Sequence, residues 1–167
     1  MDNYLAITEL DRDSQFLHLL CTDQNKNSVL LTAIYAKPND HDRQPLWANI
    51  RRLEQTIDRP WLLAGDFNSI TCPSERKGGA AYNPSKTASF NACIRDCGLL
   101  DVGFTGPKFT WSNGRLSQRL DRALCNQEWI RQFPDTVSTN LPRLRSDHRP
   151  ILICSNNDHG GMNKPRL

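Results

Sequence analysis

Two short apolar runs, each stopping abruptly at polar residues, constrain what this chain can fold into. The first is Val29-Leu-Leu-Thr-Ala-Ile-Tyr35; the second is Trp61-Leu-Leu-Ala64, followed at once by Gly65-Asp-Phe-Asn68. Runs this short, rich in branched and aromatic residues, read as strands, and their almost unbroken apolar character is that of strands buried on both faces. Between them, Leu46, Trp47, Ile50, Leu53 and Ile57 fall on one helical stripe. This predicts a helix capped by Asp42 and running to about Ile57, with Pro60 ending the connection. Strands and helices alternating in this way call for a layered α/β fold, a sheet core with helices outside.

The rest of the chain extends the pattern. Gln15–Cys21 reads as a strand joined to Ser28–Tyr35 by the polar turn Thr22–Asn27. Ser74-Glu-Arg-Lys-Gly-Gly79 reads as a polar loop. Ser85–Cys97 reads as a second helix, with Phe90, Cys93, Ile94 and Cys97 inward and Gly98 as its stop. Phe109–Trp111 and Leu120–Cys125 are expected to pair around the turn Asn113-Gly114. A short helix over Asn126–Phe133 and a last apolar strand over Pro150–Cys154 complete the reading. The 167 residues suit one domain, placed at 1–154, with 155–167 as a disordered tail.

Composition narrows function less than fold. A formal net charge of +3 is compatible with a nucleic-acid partner without demanding one. The six cysteines form no CxxC pair, which points to reduced, buried thiols rather than a zinc site or a disulfide framework. The N-terminus lacks a basic flank and a long apolar run, and the longest apolar stretch is too short to span a membrane. The expected location is intracellular, nuclear or cytoplasmic.

Four local features carry chemistry, and each has a structural alternative. Asp66 and Asn68 are two apart at the end of a strand, on one face, with Phe67 turned to the core; Gly-Asp-x-Asn is equally good turn chemistry. Ser146-Asp147-His148-Arg149-Pro150 offers a carboxylate and an imidazole suited to acid–base work near neutral pH, or simply a polar loop before a strand. Asp121 lies in an otherwise apolar strand and needs a partner. That partner is either Arg119 or Arg122 in a structural pair, or a histidine that it orients. Tyr35 closes a buried strand, with a hydroxyl that faces water or donates to a phosphate oxygen.

Taken in order, Tyr35, Gly65-Asp-Phe-Asn68, Thr110-Trp-Ser112, Leu120-Asp-Arg122 and Ser146-Asp-His-Arg-Pro150 resemble the endonuclease/exonuclease/phosphatase superfamily. The resemblance runs from about Gln15 to Ile153. It is nearest to the nuclease domain of plant LINE retrotransposons through Leu31–Ala36, Gly65–Ser69, Ser74–Gly79, Gly106–Asn113 and Arg119–Cys125. It implies a four-layered α/β sandwich, here lacking its first strands. It also implies a metal-dependent phosphodiesterase acting on DNA with Mg²⁺ or Mn²⁺. Asp66 would be the base and Asn68 would hold the nucleophile. Asp147 would be the metal carboxylate. His148 would contact the scissile phosphate, Asp121 would hold that histidine, and Tyr35 would add a phosphate hydrogen bond.

The resemblance implies that DNA-repair and LINE-type nucleases carry tyrosine at this position, whereas secreted DNases and several lipid or inositol phosphate phosphatases carry histidine, and Tyr35 thereby favours a DNA backbone as substrate. Arg115, Arg119, Arg122, Arg143 and Arg145 flank the motif loops as candidate phosphate contacts or as a solvated face. The family pattern begins with strands bearing an Asn and a metal-binding Glu, whereas Glu9, the only early glutamate, precedes the first expected strand. The expectation is therefore weak Mg²⁺ binding, poor or absent cleavage, and apolar edges left open. The alternatives are a non-catalytic nucleic-acid-binding module and a phosphodiesterase of the same superfamily acting on small molecules or lipids.

Overall fold

The computed structural model describes residues 5–155, and the statements below concern those residues. The expected disordered tail falls outside them, Ser155 excepted. The fold is mixed α/β, as expected. Its centre is a six-stranded sheet built from β1 (Ala6–Asp13), β2 (Phe16–Thr22), β3 (Ser28–Tyr35), β4 (Trp61–Asp66), β6 (Leu100–Asp101) and β9 (Asp121–Cys125). The spatial order is β1-β2-β3-β4-β9-β6. Only β3 and β4 run parallel, because α1 (Asp40–Glu54) carries the chain back between them.

The helix begins earlier than expected. Asn39, in extended conformation, accepts the His41 N–H through its side chain and so displaces Asp42 as the cap. Helices α1 and α2 (Ser85–Asp96) cover one face of the sheet. Trp47 stacks on Phe90 with ring centres 4.8 Å apart, and Phe67 lies 5.3 Å from Phe90. All three rings are buried. On the other face, α3 (Gln127–Gln132) and a two-stranded sheet of β10 (Val137–Asn140) and β11 (Ile151–Cys154) carry a smaller core around Leu62, Ala123, Trp129 and Phe133. Asn126 caps α3 by accepting the Trp129 N–H.

Four expectations need correcting. Strand β4 is buried on both faces at Trp61, Leu62 and Leu63, but β3 is buried on one face only. Leu30, Thr32 and Ile34 face the helices, whereas Ala33 and Tyr35 are exposed. The reason is that α3 and the β10–β11 pair cover the β4–β9 side of that face.

The hairpin at Asn113-Gly114 joins β7 (Trp111–Ser112) to β8 (Leu116–Gln118), not to Leu120–Cys125. Asp121–Cys125 peels away to pair with β4. Ser74–Gly79 is not simply a loop, since Arg76–Gly78 forms β5, the third strand of that small sheet. Finally, β1, β6 and β10 are strands where none was expected. Glu9 lies within β1, 3.4 Å from Arg12.

Candidate active site

Strand register builds the site. Tyr35 of β3 pairs with Asp66 of β4, and Asp66 pairs with Asp121 of β9. Three functional side chains from three distant segments thus stand in one row at one end of the sheet. Gly65 permits this approach. Its φ is +139°, and a Cβ there would meet the Ile34 carbonyl oxygen at 2.1 Å.

Beyond Asp66 the chain turns sharply. Phe67 is fully buried, and Asn68 takes a left-handed backbone with φ of 47°, which Asn tolerates better than most residues. Its side chain then folds back: Nδ2 donates to Asp66 Oδ2 at 2.9 Å and to the Ala36 carbonyl at 2.7 Å. Asp66 Oδ1 accepts the Asn68 backbone N–H at 2.7 Å. The turn expected of Gly-Asp-Phe-Asn is present, and it is what brings Asn68 against Asp66.

The second wall comes from the loop before β11. Arg149 N donates to the Thr110 carbonyl at 2.7 Å and Ser112 N to the Asp147 carbonyl at 3.1 Å, tying the loop to β7. His148 Nδ1 lies 2.9 Å from Asp121 Oδ2, and its Nε2 lies 3.9 Å from Asp66 Oδ2. Asp121 thus takes histidine as its partner, not Arg119 or Arg122. Thr110, buried, accepts the backbone N–H groups of both Leu120 and Asp121 at 2.9 Å, which fixes where Asp121 points. Asp147 is exposed, and its Oδ2 accepts the Trp111 indole N–H at 2.9 Å.

Tyr35, Asp66, Asn68, Asp121, Asp147 and His148 all line one cavity of about 660 Å³. The remaining walls include Trp111 and Gln118, neither of which the sequence singled out by itself as a site residue. Trp111 lies in the Thr110-Trp-Ser112 stretch, which by itself assigns it no role, and Gln118 is placed opposite it by the short hairpin. Arg119 and Arg122, expected as candidate phosphate contacts, are instead buried in a network with Glu75 and Asp101, at 2.7 to 3.1 Å. Arg115 and Arg145 are exposed, and Arg143 is half-buried.

Burial pushes the Asp66 carboxyl up to about 6. The Asn68 backbone N–H acts against the rise, the Asp121 carboxylate adds to it, and His148 and Arg43 oppose it. The Trp111 indole holds the Asp147 carboxyl below the usual range.

Asp66, Asp121 and His148 bring ligand atoms within 4.8 Å of one another. Two carboxylates and an imidazole this close can hold a divalent metal ion; Asp147, the expected metal carboxylate, is not one of the three, and its Oδ2 accepts the Trp111 indole N–H instead. A metal-fit of this sort needs no cysteine. Cys21, Cys93, Cys97 and Cys125 are buried, Cys72 is half-buried and Cys154 is exposed, all as free thiols.

Solved structures of the same architecture include the endonuclease domain of TRAS1, a telomere-specific non-LTR retrotransposon. The likeness has a TM-score of 0.70 at 15% identity, covering 90% of this chain and 68% of that one. The 3′ phosphatase NExo from Neisseria, bound to product DNA hairpin, matches with a TM-score of 0.60 at 18% identity, over 91% of this chain and 70% of that one. An endonuclease/exonuclease/phosphatase family protein from Leptotrichia buccalis matches at 0.59 and 14%, over 93% and 71%. At these identities the likeness is one of fold. A comparison with curated protein sequences finds no match. The model of the Endonuclease/Exonuclease/phosphatase family matches residues 5–148, a span that contains every residue of the cavity named above. The chain belongs to the Endonuclease/Exonuclease/phosphatase family.

Proposed function

We propose that the protein hydrolyses phosphodiester bonds of DNA in a divalent-metal-dependent reaction, as an endonuclease domain of the LINE type acting in the nucleus or cytoplasm. The observation that carries this reading is the meeting of Asp66 with the Asp121–His148 pair in one cavity. Asp66 takes the proton of a water held beside it by Asn68. The water oxygen bonds to phosphorus as the P–O bond to the leaving oxygen breaks in line, and that oxygen departs with a proton from solvent. Asp121 fixes the Nδ1 side of His148, so that Nε2 faces the phosphate. Tyr35, 74% exposed at the rim, offers its hydroxyl to a phosphate oxygen. A bound Mg²⁺ or Mn²⁺, held by Asp147 and the neighbouring carboxylates, would supply charge neutralisation at the phosphate.

So few carboxylates make a weak site, and turnover is expected to need millimolar metal and to be slow. Glu9, paired with Arg12 on β1, does not strengthen it. The LINE assignment is supported by the sequence stretches above and by the fold of the TRAS1 endonuclease domain.

Supercoiled plasmid incubated with Mg²⁺, with Mn²⁺ and with EDTA tests the reading. Nicking is expected with either metal and none with EDTA, and Asp66→Ala or His148→Ala should abolish it. Nicking that survives Asp66→Ala, or none in either metal, would overturn the assignment. Removal of a terminal phosphate from a 3′-phosphorylated oligonucleotide, in the absence of nicking, would turn it toward a phosphatase. Titration calorimetry with Mg²⁺ checks the weak site, and micromolar affinity would contradict it.

A further inference from the structure

Beside the acidic cavity lies a second one, of about 290 Å³, with the opposite chemistry. Arg43, Arg76 and Lys86 line it, together with Tyr82 and Asn83, and no carboxylate does. Asn68 and Gln118 line both cavities, so the two adjoin at that shared wall. Arg43 is buried and largely committed, donating to the Lys37 and Pro38 carbonyls and pairing with Asp40 at 3.3 Å. Arg76 and Lys86 differ from it. Among the described residues no carboxylate lies within ion-pair distance of either. Arg76 is half-buried, its only side-chain hydrogen bond a 3.4 Å contact to the Gly78 carbonyl, and its Nε is buried without a partner.

The segment Ser74–Gly79 sets Arg76 in place. Glu75 anchors one side by its bonds to Arg119 and Arg122. Gly79 leaves room on the other: a Cβ there would come within 2.8 Å of Arg76 Nη2. A half-buried guanidinium with no counter-charge, in a cavity without anions, calls for an anion from outside.

We infer that this basic cavity holds the backbone phosphate next to the scissile one, with Arg76 and Lys86 as its cationic contacts and Gln118 spanning the two positions. The inference rests on the nuclease reading for its ligand. A DNA strand supplies two phosphates in succession, which suits a cation-lined cavity adjoining the catalytic one. Phosphate contacts of this kind fix the register of the strand without reading its sequence.

The test uses Arg76→Ala, Lys86→Ala and Lys86→Glu, with Lys26→Ala as control. Lys26 removes the same charge from the β2–β3 turn, at the other end of β3 from Tyr35. Lys86 is exposed in the first turn of α2, so its variants keep the test open should Arg76→Ala unfold. Binding of a short fluorescent duplex is followed in EDTA across about 50 to 200 mM salt. Hydrolysis of plasmid and of bis(p-nitrophenyl) phosphate, which has a single phosphodiester, is followed in Mn²⁺.

Each alanine variant should weaken duplex binding about tenfold and reduce the salt slope by about one. Each should also lower the plasmid-to-small-substrate ratio of kcat/KM about tenfold. Variants that match Lys26→Ala in binding, or that lose both substrates equally, overturn the subsite. A wild-type protein that hydrolyses neither substrate, yet loses binding in the variants, sinks the nuclease reading and leaves the subsite supported.

Discussion

Asp66 carries a conflict that a single atom can resolve. The proposed reaction needs an ionised carboxylate, and the fold penalises one. Burial and the nearby Asp121 raise its titration from the ordinary 3.8 to about 6. Between those values the folded protein binds more protons here than the unfolded chain does. This group therefore favours folding at acid pH, and that preference is lost as pH rises through about 6. Asp66→Asn removes the charge and keeps an oxygen for the Asn68 backbone N–H, at the loss of the bond from Asn68 Nδ2. In EDTA it should be more stable than the parent at neutral pH by about 1–3 kcal/mol, and the gap should close as pH falls toward 4. Thermal melts across that range check this. A variant less stable than the parent at pH 7 would show that the carboxylate's hydrogen bonds outweigh its desolvation.

Asp147 meets the opposite situation. It is exposed, and what holds it is one indole N–H. Trp111→Phe keeps an aromatic group, smaller than the indole, and deletes that bond, so the predicted result is weaker metal binding with a modest loss of stability, about 0.5–1.5 kcal/mol. Mn²⁺ titration beside a denaturation curve separates the two. Unaltered metal affinity would remove Trp111 from the site.

Elements determine how far the sequence could be read. The row Tyr35–Asp66–Asp121 was accessible because each residue ends or begins a strong apolar run, and strand ends gather on one edge of a sheet. His148 could be matched to Asp121 only through the family resemblance, for 27 residues separate them. The small sheet β5-β8-β7 was out of reach, since strands of two or three residues are shorter than any periodicity that could announce them. Strand β1 was hidden for another reason: it is exposed on nearly every residue and shows no buried stripe.

Arg119 and Arg122 misled because they flank Asp121, yet their partners come from elsewhere in the chain. Glu75 is the most buried of those partners. Burial pushes its carboxyl up, but the hydrogen bond and charge of Arg122, with the Thr71 N–H and Arg119, hold it below the usual range. Its contribution to stability is therefore present at neutral pH and lost on acidification below that range. Glu75→Ala leaves the fully buried Arg122 guanidinium with Asp101, at 3.1 Å, as its remaining carboxylate and should cost about 2–4 kcal/mol. A denaturant midpoint unchanged from the parent would rule that out. Glu75→Gln, which keeps the shape, should cost less.

At the scale of the whole molecule, the sheet is unevenly covered. Its helix face is closed by α1 and α2 around Trp47 and Phe90, with almost no exposed apolar surface there. Its other face is closed over β4 and β9 but open over β2 and β3, where Leu19, Leu31, Ala33, Leu62 and Ile153 line an apolar cavity of about 350 Å³. Among the described residues, apolar side chains also stand exposed at the sheet edge, at Leu5, Ile7 and Leu10. Exposed apolar surface on a folded sheet should take up a hydrophobic dye without any unfolding. Anilinonaphthalene sulfonate is therefore expected to fluoresce with the native protein at neutral pH, under conditions where near-UV circular dichroism still reports fixed side chains. That last condition matters, because loosened packing would give the same fluorescence while abolishing the near-UV signal. Ala33→Glu tests the location. Ala33 is exposed in the middle of β3, so the substitution leaves the helix-side core intact while placing a charge in the cavity. Dye fluorescence should fall several-fold with the melting temperature little changed. Fluorescence that appears only at the onset of melting, or that Ala33→Glu leaves intact, would place the open apolar surface elsewhere on the molecule.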